Sequence, residues 1–222
     1  MIIRWLLHLV CKLDIGDLKK VPRSGPLILI TNHTTNIEGP AIYVLTQPRK
    51  TTALAKIELW QNPVTRFLMN LWKVIPVHRG QVDSEAMKAC FAALEDGRML
   101  GIAPEGTRSK SGNLKPGGRG AAMLALRTGA PVCPVGQVGY RDIPANLKRL
   151  RRTPVSMKVG RLFIVRSPET RTGSAGALRQ IADEMMYQIA LLLPPESRGV
   201  YADLDKLTTD FLDFDVPPPP AD

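Results

Sequence analysis

Apolar positions along the 222-residue chain follow two rhythms. Short apolar or alternating runs at 27–30, 52–55, 74–77, 99–103, 132–139 and 157–165 predict strands. Between them apolar residues recur every three or four positions, which predicts helices over 2–13, 40–45, 62–72, 85–96, 120–128 and 178–193. The punctuation agrees with this reading. Asn62-Pro63 opens one helix, Asp83 or Ser84 caps another that Gly97 stops, and Gly129 ends a third. The stripe Leu178, Ile181, Met185, Ile189 and Leu192 keeps helical spacing and predicts a face packed into the core. Strands alternating with helices predict an α/β fold. The expectation is a single layered domain with a largely parallel, mixed β-sheet flanked by helices.

Residues 21–195 carry this alternation and read as the domain proper. Ahead of it, residues 1–20 form an amphipathic helical segment in which Arg4, His8 and Lys12 interrupt Ile2, Ile3, Trp5, Leu6, Leu9 and Val10. A helix lying in a membrane interface and a helix packed on the protein's own core both fit that pattern. Residues 196–222 are acidic and end in Val216-Pro-Pro-Pro-Pro220, and they read as an extended or disordered tail.

Charge narrows the partners. The net charge is +10, but 196–222 holds seven acidic and two basic residues, so the rest of the chain carries +15. A body this basic favours nucleic acid, an anionic membrane surface, or phosphorylated and CoA-like ligands. Aromatic content is 5%, and the dense run Lys148, Arg149, Arg151, Arg152 contains no aromatic residue. Nucleic acid is therefore not expected, because stacking on bases needs aromatic rings. That run suits lipid headgroups or CoA phosphates, or a plain solvated loop. Cys11, Cys90 and Cys133 form neither a disulfide framework nor a zinc motif and suit a reducing compartment. No apolar run approaches the ~18 residues of a membrane span, and the N-terminal run is too short for a signal peptide and lacks a cleavage site. The expected location is cytoplasmic, peripheral on the inner face of the membrane.

Candidate chemistry concentrates in Asn32-His-Thr-Thr-Asn-Ile-Glu-Gly-Pro40, a polar loop between a buried strand and a helix. Glu38, five residues beyond His33, can orient the imidazole and support the imidazolium that forms when it takes a proton. Five residues on a regular helix is about 140° of rotation, so the pair meets only if His33 precedes the helix and Glu38 begins it. Asn36 as a cap and Pro40 in the first turn put the boundary there. A second segment, Pro104-Glu-Gly-Thr-Arg-Ser109, follows the strand at 99–103. There Glu105 can hold a hydroxyl or another side chain, Gly106 permits a tight turn whose N–H groups face an anion, and Arg108 can fork onto phosphate. Arg79 ends the apolar run of a third, Ile75-Pro-Val-His-Arg-Gly80. His8, His33 and His78 are scattered, and no metal-ligand cluster is visible.

In this order and spacing the segments resemble the glycerolipid acyltransferases, the lysophosphatidic acid acyltransferase (PlsC-like) superfamily. Asn32-His33 with Glu38 looks like its N-H-x4-D block, with glutamate in place of the usual aspartate. Val77 to Gly80 resembles the second block, Pro104 to Ser109 matches the third, and Pro131 to Val135 resembles the fourth. The resemblance implies an O-acyltransferase that moves a fatty acyl group from acyl-CoA or acyl-carrier protein to the free hydroxyl of a lysophospholipid. The acceptor it suggests is 1-acylglycerol-3-phosphate. It makes His33 and Glu38 catalytic and Arg79, Glu105, Gly106, Thr107 and Arg108 substrate-binding, with Arg79 and Arg108 gripping the acceptor phosphate. It requires no cofactor or metal beyond the thioester co-substrate, and implies contact with an anionic membrane surface. A different acceptor, such as a glycolipid, an aminolipid or glycerol 3-phosphate, is the first alternative. A non-catalytic basic module binding membrane or nucleic acid is the second.

Overall fold

The computed structural model describes residues 2–78, 83–166 and 174–216. Nine strands and seven α-helices are assigned among them. Seven strands form one sheet: β1 (Cys11–Asp14), β2 (Leu27–Thr31), β3 (Thr51–Lys56), β4 (Ile75–Val77), β5 (Met99–Ile102), β6 (Val132–Val138) and β7 (Thr153–Val159). Their order across the sheet is β1-β7-β6-β2-β5-β3-β4. Every neighbouring pair is parallel except β6 with β7, so the sheet is mixed and largely parallel, as the strand–helix alternation predicts.

β2 lies at the centre with all five residues buried, the pattern of a parallel strand covered on both faces. Ile28 and Ile30 face one layer and join Leu100, Ile102 and Val132 under α4 (Ser84–Glu95), α5 (Arg119–Thr128) and α7 (Ala175–Ala190). Leu27 and Leu29 face the other and join Met99, Cys133 and Val135 under α1 (Ile2–Val10), α2 (Glu38–Leu45) and α6 (Ile143–Lys148). α3 (Pro63–Leu71) belongs to neither cluster and buries no residue of its own. Of the predicted stripe on α7, Ile181, Met185 and Ile189 are fully buried.

Three expectations change. The N-terminal helix stops at Val10, and residues 11–14 form β1, an edge strand paired with β7. This stretch is tied into the domain: Cys11 is fully buried and Arg152 donates to the carbonyls of His8 and Cys11 at 2.7 and 2.6 Å. The strand expected at 157–165 is two strands, β7 and β8 (Ile164–Val165), and β7 begins earlier, at Thr153. Pro154 hid that start. It is tolerated because this half of β7 pairs with β1 alone, before the pairing with β6 begins at Ser156.

The third change is the tail. Residues 196–216 fold onto the domain as 3-10 turns and the strand β9 (Leu212–Asp213), which pairs with β8. Tyr201, Phe211 and Leu212 are buried. Glu184, buried in α7, accepts from the Thr208 hydroxyl and the N–H groups of Asp210 and Phe211 at 2.8, 3.1 and 3.0 Å. Arg166 pairs with Asp213 at 2.6 Å, and Arg161 lies over the Phe214 ring. The acidic composition marked this segment's partner, the basic body, rather than disorder. Residues 217–222, with the proline run, lie outside the described residues.

Candidate active site

The chain leaves β2 at Thr31 under tight control. The Asn32 amide donates to the Gln137 carbonyl and accepts from the Gln137 N–H, both at 2.8 Å, locking the strand exit to neighbouring β6. Gln137 also donates through Nε2 to the Thr31 hydroxyl at 2.9 Å. His33 therefore starts from a fixed backbone position at the carboxyl edge of the sheet, where parallel α/β folds gather ligands.

α2 begins at Glu38, so His33 precedes the helix and Glu38 opens it, the one arrangement in which the pair can meet. Asn36 does not cap the helix; the cap position is Ile37, which has no side-chain cap bond. Glu38 instead turns its carboxylate back over the loop. It accepts from the Thr34 N–H at 2.9 Å, the Thr35 N–H at 3.2 Å and the Thr34 hydroxyl, while His33 Nδ1 sits 2.9 Å from Oε2. A carboxylate at the first residue of a helix also gains from the helix dipole. Glu38 is 1% exposed, and these donors offset the cost of burying its charge. The His33 side chain is 23% exposed. A carboxylate only accepts, so the hydrogen of this contact lies on Nδ1, and in a neutral ring that tautomer puts the lone pair on Nε2.

The segment 104–109 grips His33 from the other side. Glu105 Oε1 accepts the His33 N–H at 2.9 Å, and the Ser109 N–H donates to the His33 carbonyl at 2.7 Å. Glu105 Oε2 accepts the Lys115 N–H at 3.0 Å, and the Gly118 N–H donates to the Pro104 carbonyl at 2.7 Å. The loop thus folds back on itself just before α5 starts. Burial pushes the Glu105 carboxyl up, and its two backbone N–H partners partly offset the rise. Glu105 is a brace between two loops, with both oxygens occupied by the protein's own backbone. Gly106 has φ +66°, which glycine adopts without cost, and its N–H closes a turn onto the Ala103 carbonyl at 3.0 Å. That N–H is therefore not the anion-facing donor expected of it. Thr107 and Arg108 are exposed at the tip of the same loop, and Arg79 lies outside the described residues.

A second histidine–carboxylate pair repeats the spacing. Asp83 Oδ2 accepts from the His78 N–H at 2.8 Å and sits 2.9 Å from its Nδ1, while Oδ1 caps α4 through the Ala86 N–H at 2.9 Å. The N–H groups of Ala86 and His78 hold the Asp83 carboxyl at about 2. This pair is more open, with His78 56% exposed. The sequence carried the signal, a histidine five residues before a carboxylate. The clamp between Asn32 and Gln137 left no such signal, because the two residues are 105 positions apart. Among the described residues no group of three His, Cys, Asp or Glu side chains is placed to hold a metal.

The chain resembles known proteins in sequence and in fold. The family model described as Acyltransferase matches residues 12–138. A chloroplastic 1-acyl-sn-glycerol-3-phosphate acyltransferase of Brassica napus is 33% identical over 137 residues, 60% of this chain and 39% of that one. A 1-acyl-sn-glycerol-3-phosphate acyltransferase of Borreliella burgdorferi is 29% identical over 126 residues, 56% of this chain and 50% of that one. The chain thus spans half or less of the length of these relatives. The fold also matches the crystal structure of PlsC, the 1-acyl-sn-glycerophosphate acyltransferase of Thermotoga maritima. The TM-score is 0.60 at 22% identity, over 82% of this chain and 72% of that one.

Proposed function

Starting from the premise that the chain belongs to the acyltransferase family, whose model covers more than half of it, we propose that it transfers a fatty acyl group from a thioester to the free hydroxyl of a lysophospholipid. The acceptor we propose is 1-acylglycerol-3-phosphate, for which its relatives are named. The donor is acyl-CoA or acyl-carrier protein. The observation that carries the reading is the buried Glu38 carboxylate 2.9 Å from Nδ1 of a partly exposed His33.

In this reading His33 Nε2 takes the proton of the acceptor hydroxyl as its oxygen attacks the thioester carbonyl. The C–O bond forms, the C–S bond breaks, and the thiolate leaves, favoured by a thiol pKa of about 8.5. Glu38 holds the ring and supports the imidazolium. Glu105 and Ser109 fix the His33 backbone, so the base is aimed before substrate arrives. Arg108 and Arg79 take the acceptor phosphate. Glutamate in place of aspartate still brings its carboxylate within 2.9 Å of His33 Nδ1, which supports retaining the dyad. The protein works at the cytoplasmic membrane surface. Free buried cysteines suit a reducing compartment, and no helix among the described residues is long and apolar enough to cross a membrane.

The test is thiol release from a long-chain acyl-CoA with lysophosphatidic acid, comparing wild type with His33→Ala. Release that requires acceptor and falls at least ~10²-fold in the variant is the expected result for a general base. A wild-type protein silent with acyl-CoA and acyl-carrier protein across several acceptors overturns the proposal.

A further inference from the structure

Ten large hydrophobic side chains are exposed among the described residues, and eight of them sit on three elements. α1 buries Leu7 yet turns Trp5, Leu6 and Leu9 outward. α3 presents Val64, Phe67 and Leu71, which share one side of the helix at spacings of three and four. The end of α6 presents Leu147 and then Leu150, which is 93% exposed.

These three elements belong to one side of the molecule. α1 packs beside α2. Arg152 ties the run 148–152 to the end of α1 through the carbonyls of His8 and Cys11. Trp72, just after α3, stacks on Tyr43 of α2 with ring centroids 5.1 Å apart. α2 therefore lies among three outward apolar stripes, and its first residue is Glu38. Leu150 and Lys73 follow the ends of α6 and α3 with φ +53°, a conformation glycine adopts freely and other residues rarely. At both sites the chain places a long apolar or cationic side chain at the surface instead.

Cations are interleaved with these stripes. Residues 147–152 read Leu-Lys-Arg-Leu-Arg-Arg, and α3 contains one arginine and no acid. An apolar face studded with arginine and lysine would set like charges against each other across a symmetric contact with a second copy. It complements an anionic lipid surface, where the apolar tips enter the acyl boundary and the cations meet headgroups.

We propose that the side formed by α1, α3 and the α6–β7 turn is a docking face for an anionic bilayer, with Phe67 and Leu150 as its inserting residues. The inference rests on the reading that the acceptor is a membrane lipid. It adds the orientation: α2 faces the bilayer and the His33–Glu38 pair opens beside it.

The experiment is co-sedimentation of the full chain with vesicles of phosphatidylcholine containing phosphatidylglycerol, and with phosphatidylcholine alone. It compares wild type, a Phe67→Glu/Leu150→Glu variant, and a Leu191→Glu/Val200→Glu variant altered at the two exposed hydrophobics off this side. All four positions are exposed, so folding is not at stake, and circular dichroism checks it. The expected result is binding that prefers anionic vesicles, falls at least ~10-fold in the first variant and is unchanged in the second. Quenching of Trp5 by brominated lipid should accompany it. Equal loss in both variants, loss only in the second, no preference for anionic lipid, or self-association through this face in place of vesicle binding overturns the proposal. Thiol release with a short-chain, monomeric acceptor separates the two readings. Vesicle binding without acyl transfer refutes the function and leaves the docking face, and transfer without vesicle binding refutes the docking face alone.

Discussion

At the scale of single residues the site is two carboxylates on either side of one histidine. Glu38 serves the ring and Glu105 serves the backbone. The two are easily confused in sequence, since both are acids in family blocks, and only their partners separate them. Replacing Glu105 with glutamine puts an amide NH2 against one of the N–H groups of His33 and Lys115. Leaving such a buried donor unpaired costs about 1–3 kcal/mol. Glu105→Gln should therefore lower the melting temperature and kcat together and leave KM for the acceptor nearly unchanged. A raised KM with unaltered stability would make Glu105 a substrate contact instead. Steady-state kinetics beside a thermal melt decides between them.

Among the elements, α4 shows how one side chain sets a helix start. Asp83 caps α4 and also holds the His78 N–H, so the entry to the helix and the exit from β4 share one carboxylate. Its folded pKa is lowered, from 3.8 to about 2. A depressed carboxylate contributes stability that is present above its unfolded pKa and lost as pH falls through the folded one. Asp83 should thus contribute fully above about pH 4 and progressively less toward about pH 2. In Asp83→Asn this part of the acid limb of stability should flatten, because the amide still caps but no longer titrates. Urea unfolding measured across that pH range tests it, and an unchanged acid limb would mean that Asp83 is not a source of the pH dependence. α2 is a contrast. Its start, read as capped by Asn36, is organised by Glu38 reaching back to Thr34 and Thr35. Helix propensity permitted either start, and the histidine partner selected one.

On the scale of the whole molecule, residues 196–216 form a strap behind the 104–118 loop. The Leu114 N–H donates to the Ser197 carbonyl at 3.0 Å, and the Gly117 N–H to the Tyr201 hydroxyl at 3.1 Å. Gly199 has φ +54°, and a Cβ there would overlap the Leu114 carbonyl, so the strap and the loop fit backbone to backbone. Its surface ion pairs are each worth little. Burial of Tyr201, Phe211 and Leu212 supplies most of its attachment. Phe211→Ala should cost about 3 kcal/mol or more in denaturant unfolding, with activity falling as the 105–118 loop loosens. A loosely tethered tail predicts a change below about 0.5 kcal/mol.

Much was legible before any coordinates. Most strand runs, the caps at Asn62 and Asp83 and the α/β layering follow from local sequence, because burial of one face imposes a fixed spacing on apolar residues and a helix start needs a side-chain acceptor. The contact between His33 and Glu38 was legible because its members lie five residues apart and their geometry depends on one helix boundary. The acidic tail was not legible in this way: its composition reads as extended or disordered, and its folded form shows only in the tertiary structure. The rest depended on contacts distant in sequence. The short edge strand β1 exists only because β7 lies beside it, and the strap folds only because Glu184 and the basic body receive it. Glu105 became a brace only when His33 and Lys115 presented their N–H groups. No local pattern encodes such pairings, since each is settled by which backbone donors and apolar faces meet once the sheet has formed.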